Sequence, residues 1–330
     1  MSLGFLIKLK ILWAITALQK IYYPVLATFS VLVNVIAIVV LVRGKCGLSK
    51  CVTHFLVAMA GADLLVIIFD LILRQIPIAY REDFFFLNFV SLCNIHAVML
   101  YAATDCSVWF TVMFTFDRFV AICCQKLRSK HCTKKTACVV LGTVTVLSCL
   151  KNIFWCFLYS SSYWLSNTPW FCSVMYAVIT SIAWTIVELM HYIITPFIPF
   201  VLILVLNALT VKNIILANRA RRRLLGQSTG DSPSDPEMGS RRKSMILLFV
   251  ISGNFITLWM VFIAYSVLKR FDYLGYPVPL PTFVNEIGFM LQLLSCATNT
   301  FIYAVTQRKF REELKNGVMY PFIKLVKIIC

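Results

Sequence analysis

The chain has 330 residues, of which 60% are hydrophobic and only 14% are charged. Soluble domains carry roughly 25% charged residues, so a soluble core could not hide this much apolar surface. A membrane-spanning helix needs roughly 20 apolar residues, and the length therefore accommodates about seven spans with short loops. The composition predicts an all-α membrane protein with one membrane domain and excludes an ordinary soluble fold.

The net charge of +17 is distributed between the apolar runs rather than along one basic stripe beside aromatic residues. This placement argues against nucleic-acid binding and for membrane topology. Basic clusters recur at alternate connections: residues 43–50, 126–135, 219–223 with 241–243, and 308–327. By the positive-inside rule these connections face the cytoplasm. We therefore expect a multi-pass plasma-membrane protein with its N-terminus outside, its C-terminus in the cytoplasm and an odd number of spans.

The first apolar stretch, residues 3–18, is interrupted by Lys8 and Lys10 and has no small-residue cleavage site. We interpret residues 1–20 as an extracellular segment, either an interfacial helix or an uncertain gene start. Seven spans are predicted at residues 21–42, 51–76, 92–124, 136–158, 184–216, 244–268 and 282–306. Residues 225–240 are Pro-, Gly- and Ser-rich and predict a flexible third cytoplasmic loop. Residues 307–330 form the cytoplasmic tail.

Several strongly polar side chains fall inside the predicted spans, where each costs several kcal/mol unless it is paired or hydrated. They are Asn34, Asp63, Asp105, Ser107, Asp117, Arg118 and Asn299. Such residues are candidates for function by default.

These residues, span by span from about 22 to 310, resemble the rhodopsin-like (class A) G-protein-coupled receptors. The matching features are Asn34, Asp63, the run Asp117-Arg118-Phe119 (Asp-Arg-Tyr in the family), Phe255-x-x-Leu258-Trp259 (Phe-x-x-Cys-Trp), Asn299-x-x-x-Tyr303 (Asn-Pro-x-x-Tyr) and Phe310. The runs at 22–26, 43–50 and 115–122 are similar to an orphan-receptor group linked to aromatic amino acids. The resemblance implies a seven-helix bundle with a short amphipathic helix eight.

The resemblance also implies roles for particular residues. It places G-protein coupling at Asp117, Arg118 and Phe119; an activation switch at Phe255, Trp259, Asn299 and Tyr303; and an extracellular disulfide between Cys93 and Cys172. An internal sodium site is implied at Asp63, Ser107, Ser295 and Asn299, with a water-mediated polar network without an ion as the alternative. Beyond this possible sodium ion, no cofactor is expected.

The outward half of the bundle should hold the ligand, since Leu100, Tyr101, Thr104 and Asp105 share one face of the third span. Leu100 occupies the place where amine receptors carry an Asp, which disfavours monoamines. Asp105 could take a ligand ammonium and Arg74 a carboxylate, so we expect an amino acid-like molecule or a short peptide. Additional pocket candidates are His191, Phe262, Tyr265 and Phe289, for which core packing is the alternative.

Two departures from the family concern the switching motion. Val261 and Thr300 stand where the family has prolines, so kinks at these points should be weaker. Residues 241–243 are basic where the family has an acid that locks Arg118, so we expect raised basal activity. The resemblance implies a heterotrimeric G protein as partner, and the resembled group suggests the calcium-mobilising class.

Other functions remain open at this stage. An enzyme would need a nucleophile with its base, or clustered metal ligands, and none of the four histidines has a second ligand at i+3 or i+4. A transporter would show paired, broken helices, which are not visible. A receptor-like membrane protein that does not signal is the third alternative, because the two prolines are missing.

Overall fold

The structure is a computed structural model that describes residues 3–44, 46–80, 90–153, 155, 159–163, 172–174, 181–225, 236–276, 278 and 280–315. Apart from one short hairpin, its regular elements are helices. We refer to the membrane helices as the first to seventh spans, with the bounds given below.

The first span is one continuous helix, Leu3–Val42. The predicted start at residue 21 is therefore wrong as a helix boundary. Pro24 lies inside this helix and has no backbone N–H, so it cannot donate to the carbonyl of Lys20. The helix therefore lacks one backbone hydrogen bond at this point. The hydroxyl of Tyr80 donates to that carbonyl at 2.7 Å. A tertiary contact thus stabilises a position where the sequence alone predicted the helix to begin.

The second span, Lys50–Tyr80, contains a π-helical segment, Ile67–Gln75. Its N-terminus is capped by Ser49, whose side chain accepts a hydrogen bond from the backbone N–H of Val52. A π-helical segment rotates the residues after it relative to an α-helix, and such segments are frequent at functional sites. In this span it buries Asp70 and Arg74 inside the bundle.

The third span, Val90–Cys123, is followed by a short helix, Gln125–His131, and by the fourth span, Lys134–Asn152. The fourth span ends six residues before its predicted end at 158. Its terminal Asn152 is fully buried and donates to Asp105 on the third span. Residues 154 and 156–158 lie outside the described residues.

The fifth span runs from Ile182 to Leu225 in three pieces, Ile182–Tyr192, Ile193–Phe197 and Ile198–Leu225. The break lies at Thr195, whose extended φ and ψ of −146° and 110° follow from its position before Pro196.

The sixth span, Pro236–Tyr273, begins earlier than predicted. Of the loop predicted at 225–240, residues 236–240 are helical, and 226–235 lie outside the described residues. The seventh span, Thr282–Thr306, has the predicted bounds. A helix at Arg308–Lys315 turns 93° away from it and buries Phe310 against Tyr303, with ring centres 6.2 Å apart. This is the expected helix eight.

Two antiparallel strands, β1 (Tyr159–Tyr163) and β2 (Cys172–Val174), follow the fourth span and contact the third. Cys93 at the start of the third span is disulfide-bonded. The side chain of Cys172 lies outside the described part of the chain, so the predicted pairing of these two cysteines stays a prediction.

Among the described residues, five helices are long and apolar enough to cross a membrane, or six when the seventh span is taken with the helix after it. The fourth span is not among them, since Lys134, Lys135, Lys151 and Asn152 occupy its ends. Its exposed apolar residues, such as Val139, Val146 and Leu150, instead form an outward face suited to lipid. Together these helices form the expected all-α bundle.

Candidate functional site

The end of the third span that carries Arg118, called the inner end below because the sequence predicts that it faces the cytoplasm, has a buried ion pair between Asp117 and Arg118. The Nε of Arg118 donates to Oδ2 of Asp117 at 3.0 Å, and Nη2 donates to the same oxygen. The other carboxylate oxygen, Oδ1, accepts from the thiol of Cys51 at 3.2 Å. The guanidinium also lies 5.9 Å from the ring centre of Phe114, whereas Phe119 is half-buried. Arg118 is therefore held against its own helix.

Two cysteines that no sequence motif singled out, Cys51 and Cys132, belong to this inner site. Cys51 bonds the Asp117 carboxylate, and the thiol of Cys132 donates to the Asp117 backbone carbonyl at 3.8 Å. Burial, with the nearby Asp117 charge, raises the pKa of Cys132 to about 11. The thiol thus stays protonated and remains a donor at physiological pH.

The middle of the bundle holds a second buried acid, Asp63. Its Oδ1 accepts from the Ser107 hydroxyl at 2.5 Å, and its Oδ2 accepts from the Asn299 amide at 2.7 Å. Three of the four residues predicted to form a sodium site, from the second, third and seventh spans, therefore meet directly.

The fourth predicted sodium ligand, Ser295, makes other bonds. Its hydroxyl accepts from Nε1 of Trp259 at 2.9 Å and donates to the backbone carbonyl of Gln292 at 2.6 Å. The carboxylate and hydroxyl oxygens around Asp63 are of the type that hard cations prefer. Binding a cation there would require the Asn299 amide to turn its oxygen inward. The oxygen set thus fits sodium after this rearrangement.

The residues predicted as the activation switch lie along the sixth and seventh spans. Phe255 stacks on Trp259 with ring centres 5.2 Å apart, and Tyr303 is fully buried. The Tyr303 hydroxyl has no hydrogen-bond partner among the described residues. A buried hydroxyl without a partner costs free energy.

The two spans that lack the family prolines are uninterrupted helices. The hydroxyl of Thr300 donates to Oδ1 of Asn34 at 3.4 Å, and Nδ2 of Asn34 donates to the backbone carbonyl of Cys296 at 2.9 Å. In place of a proline kink, the seventh span has side-chain hydrogen bonds to the first span.

A cavity of about 40 Å³ lies in the outer half of the bundle. Six of the predicted pocket residues line it: Arg74, Tyr101, Thr104, His191, Phe262 and Phe289. Asp70, Trp259 and Gln292 line it as well. Tyr265 is buried but is not part of this lining.

The cavity wall contains several buried polar atoms without partners. Nη1 of Arg74 donates to Oδ1 of Asp70 at 3.0 Å, but Nε and Nη2 of Arg74 have no partner among the described residues. The same holds for Nδ1 of His191 and Oε1 of Gln292. Natural proteins rarely leave buried polar atoms unsatisfied, and such groups are a sign of a missing ligand or water.

Asp105 departs from its predicted position in this cavity. Its Oδ2 accepts from Nζ of Lys151 at 2.7 Å and from Nδ2 of Asn152 at 2.7 Å. Both partners lie on the fourth span. Asp105 is thus already paired and faces away from the cavity, so it cannot take the ligand ammonium as predicted. The acid in the cavity is Asp70, which an i, i+4 pairing of Asp70 with Arg74 in the sequence could have indicated.

A bundle of spanning helices with a cavity at one end, a buried arginine at the other and a polar network between them defines the class of seven-helix membrane receptors. Residues 33–303 match the family described as 7 transmembrane receptor (rhodopsin family). The chain therefore belongs to the rhodopsin family of G-protein-coupled receptors. Members of this family are signalling receptors rather than enzymes.

Proposed function

We propose that this receptor binds a small extracellular ligand with a carboxylate, most simply an aromatic α-amino acid or a short peptide, and activates a heterotrimeric G protein. The observation that carries the proposal is the Arg74 side chain, which is 3% exposed and has two nitrogens without a partner among the described residues, beside the outer cavity. A guanidinium fork matches a carboxylate in shape and charge. No carboxylate other than Asp70 bonds Arg74 among the described residues.

The remaining groups of the cavity suit the other parts of an amino acid. Among the described residues, Asp70 bonds Arg74 and Gln75 through Oδ1, and its Oδ2 is available to a ligand ammonium. The rings of Tyr101, Phe262 and Phe289 provide aromatic walls. An aromatic side chain would pack against them. This chemistry agrees with the orphan-receptor group that the sequence resembles.

The cavity of about 40 Å³ has room for only a few water molecules, so a ligand must push the outer ends of the spans apart. Trp259 lines the cavity and bonds Ser295, which places it between the ligand and the Asp63 network. Ligand binding therefore biases a two-state bundle whose inner end releases Arg118 from Asp117. Arg118 and Phe119 then contact the G protein.

Sodium binding at Asp63 is a further part of the proposal. An ion held by Asp63 and Ser107, with the turned Asn299 amide, would join three spans in the resting arrangement. It would therefore oppose activation. The basic residues 241–243, whose side chains lie outside the described residues, act in the opposite direction and raise basal activity. The proposed G-protein partner is of the calcium-mobilising class, and the N-terminus is outside.

The proposal is tested by nucleotide exchange on purified G proteins, with the receptor in lipid nanodiscs and a panel of amino acids, their amides and short peptides. We expect an amino acid with a free carboxylate to activate. Arg74→Met should weaken it about 10–100-fold, since hydrogen bonds to charged groups contribute roughly 1.5–3 kcal/mol. Arg308→Met is the matched control, because the Arg308 side chain is 82% exposed beyond the seventh span.

Equal potency on the wild type and Arg74→Met would contradict the ligand assignment. A different result would favour the receptor-like protein without signalling. In that case no panel member raises nucleotide exchange, and the wild type gives the same exchange as Arg118→Ala.

A further inference from the structure

The N-terminal part of the first span extends beyond the outer ends of the neighbouring spans. Tyr80, the last residue of the second span, donates to the carbonyl of Lys20 at 2.7 Å. One residue earlier, the side chain of Gln19 donates to Glu286 near the start of the seventh span at 2.7 Å. Residues 20–42 measure about 33 Å, which matches a hydrocarbon core of roughly 30 Å. Lys20 therefore marks the level at which the helix leaves the hydrocarbon.

Residues 3–19 continue the same helix past this level for about 25 Å. The structure describes all of residues 6–18, and although most of them are apolar, none is buried. Leu9 and Leu18 are each 52% exposed. Lipid covers exposed apolar side chains inside the membrane, but beyond it they contact head groups and water. A contiguous exposed apolar surface of this kind marks an interaction site.

The exposed side chains of this helix repeat with a defined spacing. From residue 7 to residue 42, steps of four and three residues alternate without exception and reach eleven positions, which we call the seam. All eleven are exposed and ten are apolar. The exception, Thr28, donates its hydroxyl to the carbonyl four residues earlier at 3.0 Å. The part of the seam beyond the hydrocarbon consists of Ile7, Ile11, Ala14 and Leu18.

The period of the seam indicates what covers it. Its steps average 3.5 residues, whereas a straight helix has 3.6 residues per turn. Helices that wind around one another keep a strict 3.5-residue stripe of apolar side chains at their contact. A helix that only faces lipid needs no such repeat. The seam therefore predicts a partner helix that follows the first span from the water into the membrane.

A second copy of this chain meets these requirements. All copies insert in one direction, so their first spans run parallel, and a two-fold axis brings the same seam positions face to face. Lys8 and Lys10 flank the seam, where like charges on two helices would repel. In a parallel pair Lys10 lies beside residue 15 of the second copy and Lys8 beside residue 3, so the lysines do not meet. The bonds of Gln19 and Lys20 also fix the direction of the helix before association, which lowers its entropic cost.

We propose that two copies of the receptor associate in parallel through the seam, as a two-stranded coiled coil that begins beyond the membrane at Ile7 and ends at Val42. The outer part contributes most, because only there does association remove apolar side chains from water. Inside the hydrocarbon the seam adds packing alone, since lipid tails are as apolar as the seam. This interface is separate from the ligand cavity and from Arg118, so it does not depend on the function proposed above.

The first test places a single cysteine on or off the seam of the full chain in proteoliposomes. Ala14→Cys should give a reducible dimer on mild oxidation, because equivalent seam positions face each other across the two-fold axis. Leu9→Cys is the matched control, since Leu9 lies on the same exposed segment but off the seam. This variant should stay monomeric, as should the wild type with its native cysteines.

The second test measures association by single-molecule photobleaching of labelled receptor at increasing density in proteoliposomes. The double variant Ile11→Glu, Leu18→Glu puts two carboxylates of each copy into the seam and should weaken dimerisation at least about 100-fold. The control Leu6→Glu, Leu9→Glu places the same charges off the seam. Its side chains are 38% and 52% exposed, against 37% and 52% for the seam pair. The control should dimerise as the wild type does.

Three results would overturn the proposal: equal cross-linking of Ala14→Cys and Leu9→Cys, dimerisation that survives in the seam variant, or dimerisation lost equally in its control. A trimer would overturn the two-stranded arrangement.

Discussion

At the inner end of the bundle Asp117 accepts hydrogen bonds on both carboxylate oxygens, whereas at the outer end Arg74 has two buried nitrogens without a partner in the part of the chain that the structure describes. Both regions hold a neighbouring acid and base on one helix at similar burial. The two ends differ in which groups bond the charged side chains. Protein groups bond both carboxylate oxygens of the inner acid, which supports the proposed resting state. The outer pair leaves two guanidinium nitrogens for the proposed ligand.

The largest effect should come from breaking the satisfied inner pair. Asp117→Asn removes the charge that holds Arg118, and a hydrogen bond to a charged group contributes roughly 1.5–3 kcal/mol, so basal nucleotide exchange should rise about 10–100-fold. The double variant with Arg118→Ala should be silent. Asp272→Asn is the control, because this acid pairs with Lys269 at the other end of the bundle. Unchanged basal exchange in Asp117→Asn would show that the pair does not hold the resting state.

A smaller effect on basal exchange is expected from the proposed sodium ion at Asp63, in the middle of the bundle. Replacing sodium chloride by choline chloride should raise basal exchange of the wild type up to about tenfold, since an ion bound only to the resting state stabilises it by mass action. Asp63→Asn should abolish this dependence while retaining the size of the side chain. A sodium effect of the same size in the variant would place the ion elsewhere.

The hydrogen bond between the Cys51 thiol and Asp117 should also affect basal exchange. Cys51→Ala deletes the hydrogen bond to Oδ1 of Asp117 and should raise basal exchange about threefold, as expected for a net contribution near 1 kcal/mol. Cys51→Ser keeps a donor and should resemble the wild type. Cys46→Ala serves as control, because Cys46 is equally buried but bonds the backbone of Val40. An equal rise in basal exchange for Cys46→Ala would show that lost packing, rather than the lost hydrogen bond, causes the effect.

The smallest effect is expected from the buried Gln292 side chain at the outer end of the bundle. Gln292→Leu removes a buried acceptor without a partner, so the ligand-free receptor should become more stable by about 1 kcal/mol. Thermal unfolding of the purified receptor measures this change, and nucleotide exchange should show a weaker response to ligand. A loss of stability would mean that the Gln292 side chain is already satisfied in the resting state.

The sequence predicted some parts of this molecule well. The predicted bounds of the seventh span, 282–306, match the helix, which begins directly after Pro281 and ends before Gln307. The Asp63, Ser107 and Asn299 side chains do meet, as the resemblance implied. Arg74 was singled out because it lies near the outer end of the second span, where a cation can meet a ligand carboxylate, and it does line the outer cavity.

Other parts could not be predicted because their causes lie far apart in the chain. The first span continues past Pro24 since Tyr80, 60 residues away in sequence, satisfies the freed carbonyl of Lys20. Asp105 was assigned to the ligand cavity because its helical face pointed there, yet a lysine on another span pairs with it. Cys51 and Cys132 looked apolar, and only their distance to Asp117 reveals them as donors.

The sequence by itself determined that this protein spans a membrane, that Asp63, Asp105 and Arg118 are buried in the spans, and which receptor family it resembles. Those properties follow from local composition and spacing, because the cost of a polar group in hydrocarbon does not depend on the fold. The tertiary structure decided which of these groups are paired. Pairing depends on distances of about 3 Å between different helices, which helical periodicity does not specify. The tertiary structure thus distinguished the paired Asp117 at the inner end from the partly paired Arg74 at the outer end, where we propose that a ligand binds.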